Sequence, residues 1–166
     1  MNYESLIEKA ENEGATIIEL DFNTNKKYGR CINNYIFLNS NMTSTEKKEI
    51  LAEELAHYRK THGNILNQKD LRNKKQELVA RRESYKILLD PVDIVHAMKC
   101  GAQNIYELAD YLDITIETLN SILNDLRKQY GVGVRLGNYY LQLEPALGLI
   151  KDFGELFNYW NEVQIW

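Results

Sequence analysis

The stretch "TSTEKKEILAEELAHYRKTHG", residues 43–63, decides how the chain is read. Thr43 stands three residues before Glu46, the spacing at which a hydroxyl and a returning carboxylate satisfy the first free amides of a helix. At the far end Lys60 and His62 precede Gly63, two cations and a flexible residue suited to a helix C-terminus. Between these ends Ile50, Leu51, Leu55 and Tyr58 form an apolar stripe, so the spacing predicts an amphipathic helix over this stretch. Each helical residue advances by about 100°, which places Glu53 and His57 on one face and Glu54 between that face and the stripe.

Working outward, "NYESLIEKAENEG" sets Tyr3, Leu6, Ile7 and Ala10 on one stripe and stops at Gly14, a first helix. "TIIELDF" (16–22) and "RCINNYIFLN" (30–39) are rich in β-branched and aromatic residues and are joined by the polar "NTNKKYG". They predict a small antiparallel sheet, with Asn33-Asn34 a tighter turn or a bulge. "KDLRNKKQELVARRESYKILLD" predicts a second long helix that Pro91 ends or redirects. After Pro91 come short helices, "VDIVHAMKCG", "NIYELADYL" and "TIETLNSILNDLRKQYG", in which Leu108, Leu112, Leu119, Ile122, Leu123 and Leu126 can share a core. Asp113 to Thr115 form the connecting turn, and "GVGVRLGNYYLQLE" predicts a hairpin turning at Gly137-Asn138: the order of a helix-turn-helix with a wing. The tail, "ALGLIKDFGELFNYWNEVQIW", is expected to be helical in part, with Trp160 and Trp166 pinning it to the core.

The chemistry lies in Glu53-Glu54-Leu55-Ala56-His57, which matches the His-Glu-x-x-His of a zinc peptidase helix everywhere except its first residue. Two ligands one turn apart with a carboxylate beside them can hold an ion and accept a proton from water. A third ligand must come from elsewhere, and Glu77 on the next long helix is well placed if the two helices pack antiparallel. Taken alone, such a pattern is common in acidic helices and marks a solvated face. His62 falls off the face of His57 and His96 sits in a short apolar helix; neither is assigned a catalytic role.

Composition limits the alternatives. The 166 residues, 44% of them hydrophobic, can bury one good core or a core plus a small appended unit. A formal net charge of -4 from 27% charged residues gives no basic field for nucleic acid or anionic membrane. No run spans a bilayer and no basic-then-apolar start is present, so a cytoplasmic address is expected. Cys31 and Cys100 are far apart and lack a Cys-x-x-Cys pattern, the usage of reduced thiols.

The order "YESLIEKAENEG", "IIELDF", "INNYIFLN", "TEKKEILAEELAHY", "GNIL" and "QELVARRESYKILL" resembles the ImmA/IrrE family of metallopeptidases, especially members from phages and mobile elements. The resemblance implies a zincin-like fold, and with the element order above the chain is expected to be α+β: a zincin-like domain with a small antiparallel sheet over 1–90, then a helix-turn-helix-like module with a β-hairpin over 91–144 and an aromatic tail over 145–166. It implies cleavage of a helix-turn-helix repressor encoded nearby. It makes Glu54 the general base and His57 and Glu77 metal ligands, and it puts Glu53 where the family carries the first histidine. Carboxylate binds Zn²⁺ at about the same 2.0–2.2 Å as imidazole, so Glu53 can substitute in kind. Two carboxylates and one imidazole neutralise a divalent ion, acidify its water less, and open the site to Mn²⁺ beside Zn²⁺.

The helix-turn-helix-like segment does not read as a DNA binder, because Glu107, Asp110, Glu117 and Asp125 offset Arg127 and Lys128 on the two helices. It reads as a module packed on the peptidase or docking a repressor protein. The run Lys69, Arg72, Lys74, Lys75, Arg81, Arg82 and Lys86 reads as a solvated face able to steer an acidic segment. Tyr28, Tyr35 and Tyr58 flank the presumed cleft, and the strand "YIFLN" offers an edge to an extended substrate. The competing function is a non-catalytic antirepressor that sequesters its partner.

Overall fold

The computed structural model describes residues 1–24, 26–61 and 72–151. The chain divides into two compact units, Met1–Asp90 with Asp113–Thr118, and Pro91–Leu112 with Leu119–Trp166.

The first unit opens with α1 (Tyr3–Asn12), capped by Asn2, whose side chain accepts the Ser5 amide at 2.9 Å. Its end turns back on itself: the Ala15 amide donates to the Ala10 carbonyl at 3.0 Å and Gly14 takes φ +92°, a conformation open to a residue without Cβ. Three strands follow, β1 (Thr16–Leu20), β2 (Gly29–Ile32) and β3 (Tyr35–Asn39), in the order β1-β3-β2. Asn33 and Asn34 form a tight turn rather than a bulge, with Asn33 at φ 56°, and β2 pairs antiparallel with β3. β1 pairs parallel with β3, Thr16 opposite Tyr35, where the sequence suggested direct antiparallel pairing. A chain that reverses twice arrives pointing as it began, and with one edge of β3 taken by the hairpin, β1 occupies the other. "YIFLN" is therefore the central strand, paired on both sides, and has no edge for a substrate.

α2 (Ser44–Thr61) begins as its sequence predicts: Glu46 accepts the Thr43 amide at 3.0 Å and its own amide donates to Thr43 Oγ1 at 3.2 Å. Leu51, Ala52, Leu55, Ala56 and Tyr58 pack with Leu6 and Ala10 of α1 and Ile36 and Leu38 of β3 in the core. Each large aliphatic buried there contributes about 1.5–3 kcal/mol. Asn39, fully buried at the end of β3, donates to the carbonyls of Thr24 at 2.7 Å and Lys26 at 3.0 Å and so fixes the β1–β2 connection.

The early turns of α2 also bury two charges. Lys48, 1% exposed, donates to Asp113 at 2.6 Å; Glu49 accepts from the Thr115 amide at 2.5 Å and the Thr115 hydroxyl at 3.1 Å. Asp113, at φ 52°, also accepts from Thr45 at 2.6 Å. These bonds make the segment Asp113–Thr118 part of the first unit although it lies far along the chain. α3 (Arg72–Leu88) packs on α2, burying Ala80 and Ile87.

In the second unit Pro91 opens α4 (Pro91–Lys99) at a first-turn position where a missing amide costs nothing. α5 (Ile105–Leu112) and α6 (Ile116–Tyr130) follow, with Leu108, Leu119, Ile122, Leu123 and Leu126 buried and Leu112 half-buried. β4 (Gly133–Leu136) and β5 (Tyr139–Gln142) form the expected hairpin, turning at Gly137 with φ +59°. β6 (Gly148–Lys151) adds antiparallel to the free edge of β5, so the first part of the tail is strand; the rest of the tail, expected to be helical in part, lies outside the described residues. Trp160 and Trp166 lie outside the described residues.

Candidate functional site

The site is built where the edge strand β2 meets α2. The two-residue turn makes Ile32 and Tyr35 the hydrogen-bonded pair that closes the hairpin. The Asn39 amide donating to the Tyr28 carbonyl at 3.0 Å continues that alternation. Gly29 and Cys31 consequently turn their amides away from β3, toward the open edge of the sheet. The Cys31 amide finds Glu54, donating to its Oε2 at 2.7 Å. Gly29 permits that approach, because a Cβ there would collide with Ile50 Cγ2 and lie 3.1 Å from Glu54 Cγ. Burial is the largest influence on Glu54 and raises its pKa above the usual carboxylate value. The Cys31 amide and His57 pull it down, Glu53 pushes it up, and the net direction is upward. A carboxylate so raised is a better proton acceptor near neutral pH.

One turn of helix separates exposed Glu53 from half-buried His57, and Glu77 reaches them from α3. One ligand atom from each of the three lies within 4.8 Å of the others, the group of this kind among the described residues. Ligands about 2.0–2.2 Å from a tetrahedral ion stand about 3.4 Å apart, so closure asks for movements of no more than about 1 Å. Glu53 and Glu77 are both exposed and free to turn by that amount. A nitrogen and two carboxylate oxygens neutralise a divalent ion and suit Zn²⁺ or a harder ion. The residues fit a metal. Glu77 also stands 3.5 Å from Arg81, an exposed contact one turn along α3 that a divalent ion would outcompete.

α3 meets α2 at two further points: Glu77 lies beside His57, and Glu83 accepts from Arg59 at 2.9 Å. Of the tyrosines, Tyr58 is buried with its hydroxyl 3.2 Å from the Glu13 carbonyl, a structural bond, and Tyr28 packs edge-on to Phe22 at 5.0 Å. Tyr35 is exposed on β3. His96 is exposed in the last turn of α4, its Nδ1 2.9 Å from the Tyr111 hydroxyl. His62 and Lys69, and the side chains of Arg72, Lys74 and Lys75, lie outside what is described.

Glu53 and His57 of α2 and Glu77 of α3, with Glu54 beside them and a small mixed sheet next to α2, form a group that could hold a metal ion. The family model for Peptidase M78, the IrrE N-terminal-like domain, matches residues 10–134, and the chain belongs to that family of metallopeptidases. No curated protein and no solved structure matches the chain. Sequence reading named Glu53, Glu54, His57 and Glu77 but not the Cys31 amide, Gly29 or Arg59. An amide leaves no mark in side-chain pattern, and Gly29 reads as the end of a turn. Arg59 could have been suspected from its place two residues after His57.

Proposed function

We propose that the chain is a metal-dependent endopeptidase that cuts a helix-turn-helix repressor protein in the cytoplasm. The observation that carries the catalytic reading is the convergence of Glu53, His57 and Glu77 from two helices, with Glu54 beside them. Zn²⁺, or Mn²⁺ given two oxygen ligands, would be held by those three and would polarise the scissile carbonyl as a Lewis acid. Glu54 takes the proton of the attacking water and returns it to the leaving amine. The repressor as substrate rests on the family resemblance. Charge agrees with a protein partner: on α6 Asp125 is buried, and Arg127 is bound to the Leu143 carbonyl and to Glu144, each at 3.1 Å. No described helix is long and apolar enough to cross a membrane.

Co-expression with the helix-turn-helix repressor encoded beside the gene tests the reading. Wild type should fragment the repressor and Glu54→Gln should not; an intact repressor with both sinks it. One observation favours a second reading, a binder that sequesters the repressor uncut: Glu54 is engaged by the Cys31 amide instead of standing free. Loss of operator binding with no fragmentation is its signature.

A further inference from the structure

We propose that Arg59 is a positioning residue for the metal site, holding α3 so that Glu77 meets Glu53 and His57. The inference rests on the reading of those three side chains as metal ligands. Arg59 follows His57 by two residues on α2 and grips two other helices at once. Its Nε and Nη2 donate to Glu13, at the end of α1, at 2.7 and 2.6 Å, a two-pronged bond. Its Nη1 donates to Glu83 of α3 at 2.9 Å. Glu83 lies on the same helix as Glu77, under two turns further on, so the Arg59–Glu83 bond fixes the height of α3 against the turn of α2 that carries His57.

The geometry of the site makes this matter. Its ligand atoms lie within 4.8 Å of one another, so closing on an ion asks for adjustments of no more than about 1 Å. A shift of α3 of similar size would undo that closure. Neither Glu77 nor Glu53 is buried, so packing around the carboxylates themselves does little to hold them. Isolated exposed ion pairs are worth little, but a guanidinium forked onto one carboxylate and bonded to a second resists rotation in a way a lone pair does not. Lysine cannot reproduce this, having a single nitrogen to share. The two carboxylates also offset the Arg59 charge, which would otherwise oppose a cation bound one half-turn away.

The test is Co²⁺ titration of the full chain, following affinity and the visible absorption that reports ligand geometry, with folding of each metal-free variant checked by circular dichroism. Glu83→Gln and Arg59→Lys should each weaken Co²⁺ binding by about 3- to 10-fold and alter the absorption. That lies below the ~10–100-fold cost of losing a group bonded directly to a ligand. Glu13→Gln, which frees α1 but leaves the bond to Glu83, should lower the melting temperature and keep the affinity within about twofold of wild type. If wild type binds Co²⁺ and Glu83→Gln binds it with equal affinity and spectrum, Arg59 positions nothing. An equal loss in Glu13→Gln and Glu83→Gln also overturns the proposal, since general loosening would account for both. Failure of wild type to bind Co²⁺ overturns the metal reading itself and this inference with it.

Discussion

Replacing Gly29 by alanine tests the closeness of β2 to α2, on which the placing of Glu54 depends. The added methyl would overlap Ile50 Cγ2 and stand 3.1 Å from Glu54 Cγ and 3.3 Å from Leu38 Cδ2. Leu38 is fully buried and cannot retreat, and Ile50 is β-branched with little freedom at χ1. Either β2 lifts or α2 gives way, and overpacking of this kind costs about 1–3 kcal/mol. Room can be restored by Ile50→Ala, which alone costs about 1–2 kcal/mol at a half-buried position. The double variant should then lie well short of the sum, with a coupling of about 1 kcal/mol or more. Urea denaturation of the four proteins measures each quantity. A wild-type midpoint for Gly29→Ala, or strict additivity with Ile50→Ala, would refute the close approach and with it the geometric account of the Cys31–Glu54 bond.

Two further outcomes follow from the charges. Burial alone would raise the pKa of Asp113, but the bonds from Lys48 and Thr45 outweigh it and the net direction is down. A depressed carboxylate stabilises the fold above its unfolded pKa of about 3.9, and that contribution is lost as pH falls through the lower folded value. Asp113→Asn, which tolerates the left-handed backbone at φ 52°, should therefore cost about 1–3 kcal/mol at pH 7 by taking the carboxylate from buried Lys48. The gap from wild type should close on acidification below about pH 4; a gap constant with pH would show that charge is not the cause. Separately, Glu53→His should raise the preference for Zn²⁺ over Mn²⁺ by about tenfold or more in competition titrations, imidazole being the softer ligand. An unchanged ratio would mean that position 53 does not touch the ion.

What could be read from sequence was what repeats locally or carries its own chemistry. Thr43 and Glu46 announce the start of α2, Gly14 the end of α1, and Gly137 the hairpin, because each solves a backbone problem with residues nearby. Glu53 and His57 are bound to share a face by helical geometry alone. Less visible was anything that depends on distant segments meeting. β1 lies parallel to β3 because two reversals intervene, and no property of "TIIELDF" encodes that. Lys48 and Glu49 look like solvated charges in a charged helix, yet they hold a turn more than sixty residues away. Arg59 reads as one cation among several until Glu13 and Glu83 are seen on either side of it.

The proposed function requires an ion held between α2 and α3, and metal analysis of the full chain, purified without chelator and then offered Zn²⁺ or Mn²⁺, tests that most directly. The expected result is about one ion per chain, lost when His57 or Glu77 is changed to alanine while the circular dichroism stays that of wild type. No bound ion, or binding that survives both substitutions, would contradict the metal centre and leave the fold with a function other than the one proposed.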